Sequence, residues 1–126
     1  MIPQPAMPVS LIGFPFGKSG GGLLPIWMTG FIASEPFINI DSLPLFYVNA
    51  SGRSGLSGSP VILRLSSGYG TSDGKFIFSG GYTTKFMGIY SGRVCEDSDV
   101  CRVWKPAVLE QILNSLKRVE LAQAQI

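Results

Sequence analysis

Short apolar runs alternate with turns rich in glycine and proline along most of the chain, and this pattern predicts an all-β fold. The runs are rich in Val, Ile, Phe, Tyr and Trp and do not repeat with a fixed period. They cover residues 8–16, 25–40, 43–49, 61–65, 85–94 and 100–104. Six short strands with one apolar face close most economically as a small antiparallel barrel.

Two stretches interrupt this pattern. Pro36 cannot donate a ladder hydrogen bond, so it predicts a bulge or an edge within the run 25–40. Residues 66–75 are polar and rich in glycine, which predicts a surface loop or hairpin. Residues 76–78 are a candidate strand piece inside that insertion.

The period of the apolar positions changes after Pro106, which suits a first helical turn. Apolar residues then recur at intervals of three and four, as on one face of a helix. We therefore expect a C-terminal helix over residues 105–120, with Lys117 and Arg118 complementing its dipole and residues 122–126 frayed. No linker divides the chain, so residues 1–126 are expected to form one domain.

Composition changes this picture in one respect, because only 14% of the residues are charged while 45% are hydrophobic. An average soluble domain has about 25% charged residues, so we expect an apolar surface that a partner covers. The net charge of +2 argues against nucleic-acid binding. No apolar run approaches the length of a membrane span, and the first residues do not resemble a signal peptide.

The chain has two cysteines, Cys95 and Cys101, and no histidine. A zinc site of cysteine and histidine is therefore excluded, and we expect neither a metal nor a cofactor. Two reduced thiols are favoured over a disulfide that would close a short hairpin loop.

The segment Gly55-Leu56-Ser57-Gly58-Ser59-Pro60 is the one that suggests chemistry. Acyl transfer needs a hydroxyl on a tight turn and backbone N–H groups that converge on an oxyanion. A glycine two residues before the serine allows an unusual backbone conformation, and the proline fixes the exit into the next strand. The G-x-S-x-G elbow of α/β-hydrolases is not met, because residue 59 is serine and a strand follows.

This G-x-S-G-x-P pattern between two strands resembles the nucleophile loop of trypsin-like, chymotrypsin-fold serine proteases. The segment Met87-Gly88-Ile89-Tyr90-Ser91-Gly92 resembles the family's strand that pairs with the substrate backbone. Six strands followed by a helix are similar to the family's second barrel, from about Val9 to Leu116. The resemblance implies that Ser57 is the nucleophile, that the N–H groups of Gly55 and Ser57 form the oxyanion hole, and that Tyr90, Ser91 and Gly92 bind substrate.

The chain departs from this family in two ways. Leu56 occupies a position that is aspartate in trypsin, so activation by insertion of a new N-terminus is not expected. The barrel that would carry the general base and its orienting aspartate is also missing, since only 56 residues precede Ser57. Without a base a serine hydroxyl is a poor nucleophile.

Lys85 and Lys105 are the lysines that a Ser–Lys dyad would use, but nothing in the sequence places either beside Ser57. Arg53 and Arg93 flank the segment and are expected to be solvated charges.

Three interpretations follow. The chain is the nucleophile-bearing half of a serine endopeptidase that acts on a peptide or protein substrate when a first barrel completes it. Alternatively, it is a non-catalytic barrel that binds extended peptides by strand addition and covers its apolar face by dimerisation. A third possibility is an unrelated small barrel whose turn imitates the motif. The uncharged residues among 49–53 argue against a preference for basic substrate residues.

Overall fold

A computed structural model describes residues 1–51 and 55–124 of the chain. Within these ranges, six strands close into an antiparallel barrel in the spatial order β1, β2, β3, β6, β5, β4. The elements are β1 Pro8–Gly13, β2 Ile26–Ile32, β3 Leu45–Asn49, β4 Pro60–Gly70, β5 Phe76–Arg93, β6 Val100–Trp104 and helix α1 Ala107–Ala124. The predicted six-stranded antiparallel barrel with a C-terminal helix is confirmed.

The interior of the barrel is filled by alternate residues of the strands, as the two-residue period of a strand requires. On β1, for example, Val9 and Leu11 are buried while Ser10 and Ile12 are only partly covered. The fully buried side chains are Phe46, Leu11, Ile32, Leu56, Leu63, Val9, Val48, Val61, Val103 and Cys101. Leu56 belongs to this core although it lies in a turn, and it thereby ties that turn to the barrel.

The first two strands are shorter than predicted. The first does not extend to residue 16, because Pro15 begins a 3₁₀ turn, Pro15–Gly17, in which Phe16 has a φ of 54°. The second run, 25–40, forms a strand only over Ile26–Ile32. Residues 33–39 instead form turns and irregular chain, and Phe37 and Ile38 are exposed. These apolar residues do not enter the core, so the apolar run was a misleading signal.

The fourth and fifth strands are longer than predicted, and of the two alternatives for residues 66–75, a surface loop or a hairpin, the hairpin is confirmed. β4 and β5 pair from Pro60 opposite Ile89 to Gly70 opposite Phe76, with register shifts at Val61/Ile62 and Ser66/Gly68. Only residues 71–75 form the connecting turn, in which the N–H of Thr71 donates to the carbonyl of Lys75 over 2.8 Å. Residues 76–78 are therefore the beginning of β5.

Helix α1 covers Ala107–Ala124 instead of the predicted 105–120, so it continues past the point where fraying was expected. None of its residues is buried. The apolar residues that predicted the helix, such as Ile112 and Leu116, are exposed. In the part of the chain that the structure describes, no helix is long and apolar enough to cross a membrane.

Candidate functional site

Ser57 lies on a tight turn directly before β4. The N–H of Ser59 donates to the carbonyl of Leu56 over 2.9 Å, which closes a four-residue turn. Gly58, the third residue of this turn, has a φ of +89°, which is the left-handed value of a type II turn. Ser57 occupies the second position and is exposed. Its hydroxyl group is therefore on a rigid turn and accessible from solvent.

The turn that carries Ser57 is attached to β5 by hydrogen bonds and to the barrel interior by a buried side chain. The N–H of Gly58 donates to the carbonyl of Tyr90 over 2.9 Å, and the N–H of Tyr90 donates to the carbonyl of Ser59 over 2.9 Å. The side chain of Leu56 is completely buried in the barrel. The position of Ser57 relative to β5 is thus fixed by two hydrogen bonds and one core contact.

Gly55 needs to be glycine for two independent reasons. Its φ is +90°, a value that other L-residues rarely adopt. A Cβ at this position would also lie 2.6 Å from the carbonyl oxygen of Phe14. The 3₁₀ turn that begins after Phe14 therefore packs directly behind the loop. Sequence reasoning missed this support because it assigned that segment to a strand, although Pro15 and Gly17 were a signal for a turn.

The two N–H groups expected to form an oxyanion hole have no acceptor among the described residues. Within residues 1–51 and 55–124, neither the N–H of Gly55 nor that of Ser57 donates a hydrogen bond. Leu56 points into the core between them, and both flanking residues are exposed. An exposed, unpaired backbone N–H is a ready donor for an external carbonyl or oxyanion.

The strand predicted to bind substrate lies beside this turn, but its three residues have different environments. Tyr90 is buried, and its hydroxyl donates to the Sγ of Cys101 over 3.7 Å. Burial, together with the neighbouring thiol, raises the pKa of Tyr90 to about 12. The side chain of Tyr90 is therefore a core element, and only its backbone faces the turn.

Ser91 and Gly92 lie where the sheet opens. The ladder between β4 and β5 ends at Pro60 and Ile89, and the register between β5 and β6 shifts between Tyr90 and Arg93. Ser91 is exposed, and Gly92 has a φ of +104°. Among the described residues no strand pairs with this segment on its β4 side. The arrangement leaves a short strand edge adjacent to the exposed hydroxyl of Ser57, where an extended peptide can add.

No base in the described part of the chain contacts Ser57. Its hydroxyl forms no hydrogen bond with any described residue. Lys85 and Lys105 both line an apolar pocket of about 260 Å³ with Phe37 and Phe46, and the residues of the Ser57 turn do not line that pocket. The ammonium group of Lys105 donates to the Oδ1 of Asn39 over 2.8 Å.

The remaining candidates are the two arginines that flank the segment and the two cysteines. Arg93 is exposed, and its Nη1 donates to the carbonyl of Glu96 over 2.6 Å. Arg53 lies outside the described residues. Cys95 is exposed, Cys101 is buried, and both are free thiols. Among the described residues, no group of His, Cys, Asp and Glu could hold a metal ion.

Comparison of the chain with protein-family models, with curated proteins and with solved structures gives no significant match. The interpretation of the site therefore depends on its own geometry. That geometry is an exposed serine on a rigid turn, two available N–H groups and an open strand edge.

Proposed function

We propose that this chain is the nucleophile-bearing half of a serine endopeptidase of the chymotrypsin type, inactive until another protein surface supplies the base. Its substrate is an extended peptide that pairs with β5 at Ser91 and Gly92. The observation that supports this most is that the N–H groups of Gly55 and Ser57, on a turn with an exposed serine, donate to no described residue.

The proposed chemistry gives each of these groups a role. The Oγ of Ser57 attacks the peptide carbonyl carbon while the external base accepts the hydroxyl proton. The negative charge that develops on the carbonyl oxygen is stabilised by the N–H groups of Gly55 and Ser57. The base then gives its proton to the departing amine, and water hydrolyses the acyl ester on Ser57.

The missing base decides how much activity the chain has alone. In subtilisin, loss of the catalytic histidine lowers kcat by about 10⁶-fold, and a residual acceleration of about 10³ to 10⁴ over water comes from the oxyanion hole and binding. By analogy, this chain alone is expected to hydrolyse peptides too slowly for ordinary assays. A site of this kind binds peptide without turning it over.

Chemical rescue is the test that the structure suggests. Imidazole added in excess supplies the base, and a fluorophosphonate probe reports on an activated serine. We expect covalent labelling at Ser57, located by mass spectrometry of the digested protein, to increase with imidazole concentration. Ser57→Ala should abolish it. Ser72→Ala, which removes an exposed serine in the β4–β5 turn, should leave it unchanged.

A non-catalytic peptide-binding barrel is the second candidate, and the absence of a hydrogen-bonded base at Ser57 among the described residues favours it. The two functions differ in what imidazole does. Peptide binding that is unaffected by Ser57→Ala, together with no imidazole-dependent labelling, would identify the chain as a binding module. Labelling spread equally over exposed serines would remove the support for an activated Ser57, and a lack of peptide binding would remove the support for both functions.

A further inference from the structure

Helix α1 presents an apolar stripe that no other described part of the chain covers. The stripe consists of Leu109, Ile112, Leu113, Leu116 and Val119, all of which are exposed, and no residue of the helix is buried. Most helices in proteins owe their stability to packing of their apolar face. The stripe is therefore available to an occupant from outside the chain.

The groove between the barrel and the helix extends the same apolar surface. It has a volume of about 310 Å³ and is lined by Ile89, Trp104, Lys105, Val108, Leu109 and Ile112. The start of the stripe and the end of β6 thus form one continuous apolar surface. An elongated partner that follows the axis of the helix would cover both.

Charges on one flank of the helix indicate which partner fits. Glu110 and Lys117 are seven residues apart, almost two full turns, and so lie on the same flank of the stripe. The opposite flank carries Ser115 and Ala122, which are small and uncharged. When two copies of such a helix pair antiparallel about a two-fold axis, like flanks meet. Glu110 of each copy then faces Lys117 of the other.

Glu120 fits the same arrangement. It lies within the arc of the apolar stripe, near the C-terminal end of the helix. In the antiparallel register set by Glu110 and Lys117, its neighbour is the beginning of the partner helix, at Ala107 and Val108. A carboxylate is favoured there by the positive end of the helix dipole. A parallel pair would instead place each charged flank against the neutral one.

We propose that the chain forms a homodimer through antiparallel pairing of two copies of α1, with reciprocal contacts between Glu110 and Lys117. Packing at the stripe supplies the association energy, and the charge pairs fix the orientation. The small side chains of Ser115 and Ala122 allow close approach of the two helices on the other flank. This proposal does not depend on the chemistry of Ser57.

The full chain should therefore sediment as a dimer in analytical ultracentrifugation over about 1 to 100 µM, with dissociation on dilution. Leu116→Asp should raise the dimer Kd by about 100-fold or more, because it places a carboxylate in the apolar contact. Leu121→Asp is the matched control, since Leu121 is 65% exposed and lies off the stripe, whereas Leu116 is 57% exposed. Tryptophan fluorescence should show that the barrel remains folded in both variants.

Charge exchange tests the orientation. Glu110→Lys and Lys117→Glu should each raise the dimer Kd by about threefold to tenfold, and the double variant should recover the original value. Two residues seven positions apart in one helix do not pair with each other, so recovery identifies contacts between copies. Additive losses in the double variant would overturn the antiparallel arrangement.

Two outcomes would overturn the dimer itself. One is a chain that stays monomeric at 100 µM, the top of the sedimentation range. The other is an apolar stripe that becomes protected from solvent only when vesicles of phosphatidylcholine and phosphatidylserine are added. That result would show that the stripe binds a lipid surface.

Discussion

The hydroxyl of Tyr90 donates a hydrogen bond to the thiol of Cys101 inside the barrel, with 3.7 Å between Oη and Sγ. The thiol in turn lies 3.6 Å from the carbonyl oxygen of Ala50 and 3.4 Å from that of Asp99. This buried polar chain connects β5, whose Tyr90 backbone holds the Ser57 turn, to β6 and to the end of β3. The turn is thus supported by an internal network as well as by the sheet.

The network predicts that the barrel loses stability in strong alkali. Burial raises the pKa of Tyr90 to about 12 from 10.0 in the unfolded chain. As the pH rises, the unfolded chain therefore releases the phenolic proton of Tyr90 at a lower pH than the folded chain does. The contribution of Tyr90 to the free energy of unfolding is thus complete below pH 10 and decreases as the pH rises towards 12. Urea unfolding at several pH values should show this decrease, and Tyr90→Phe should remove the part that Tyr90 contributes. An identical pH dependence in both proteins would contradict the assignment.

Two glycines of the turn predict unequal effects of the same substitution. Gly55 and Gly58 have φ values of +90° and +89°, so alanine strains the backbone at both positions. A Cβ at Gly55 would also lie 2.6 Å from the carbonyl oxygen of Phe14, whereas a Cβ at Gly58 would meet nothing within 4 Å. We expect Gly58→Ala to cost about 1 kcal/mol and Gly55→Ala about 3 kcal/mol, measured by urea unfolding. Equal costs would show that Phe14 does not pack behind the loop.

A third glycine fixes the distance between two strands. A Cβ at Gly88 would collide with the carbonyl oxygen of Trp104, and the φ of Gly88 is +140°. Gly88→Ala should therefore force β5 away from β6 and lower the free energy of unfolding by about 3 kcal/mol or more. Gly70→Ala is the control, because that glycine has nothing within 4 Å of its Cβ position. Thermal unfolding of the two variants should differ by many degrees, and similar midpoints would contradict this close approach.

The sequence predicted the barrel because its short apolar runs, separated by turns rich in glycine and proline, coincide with most of the strands. The run 8–16 is an example, since it contains β1 with its buried side chains Val9 and Leu11. For the far half of the β4–β5 hairpin the sequence left a loop and a hairpin open, because this half is largely exposed. Phe78 and Tyr82 are exposed there, so no apolar and polar alternation marks the strand.

The candidate site was predictable in part. The left-handed Gly55 and the exposed Ser57 follow from the spacing of glycine, serine and proline. The burial of Tyr90 and the support from Phe14 depend on contacts between distant segments, which a local pattern does not contain. The helix shows the same limit, because its period predicted an apolar stripe at Ile112 and Leu116 without indicating what covers it.

We propose that the N–H groups of Gly55 and Ser57 receive a peptide carbonyl while Ser91 and Gly92 pair with the peptide backbone. Amide chemical shifts, followed by NMR during titration with an extended peptide blocked at both ends, test this directly. We predict that these four amides shift together with one dissociation constant and that Ser57→Ala preserves the response. Unchanged shifts at Gly55 and Ser57, with perturbations elsewhere on the barrel, would show that the peptide does not bind at this turn.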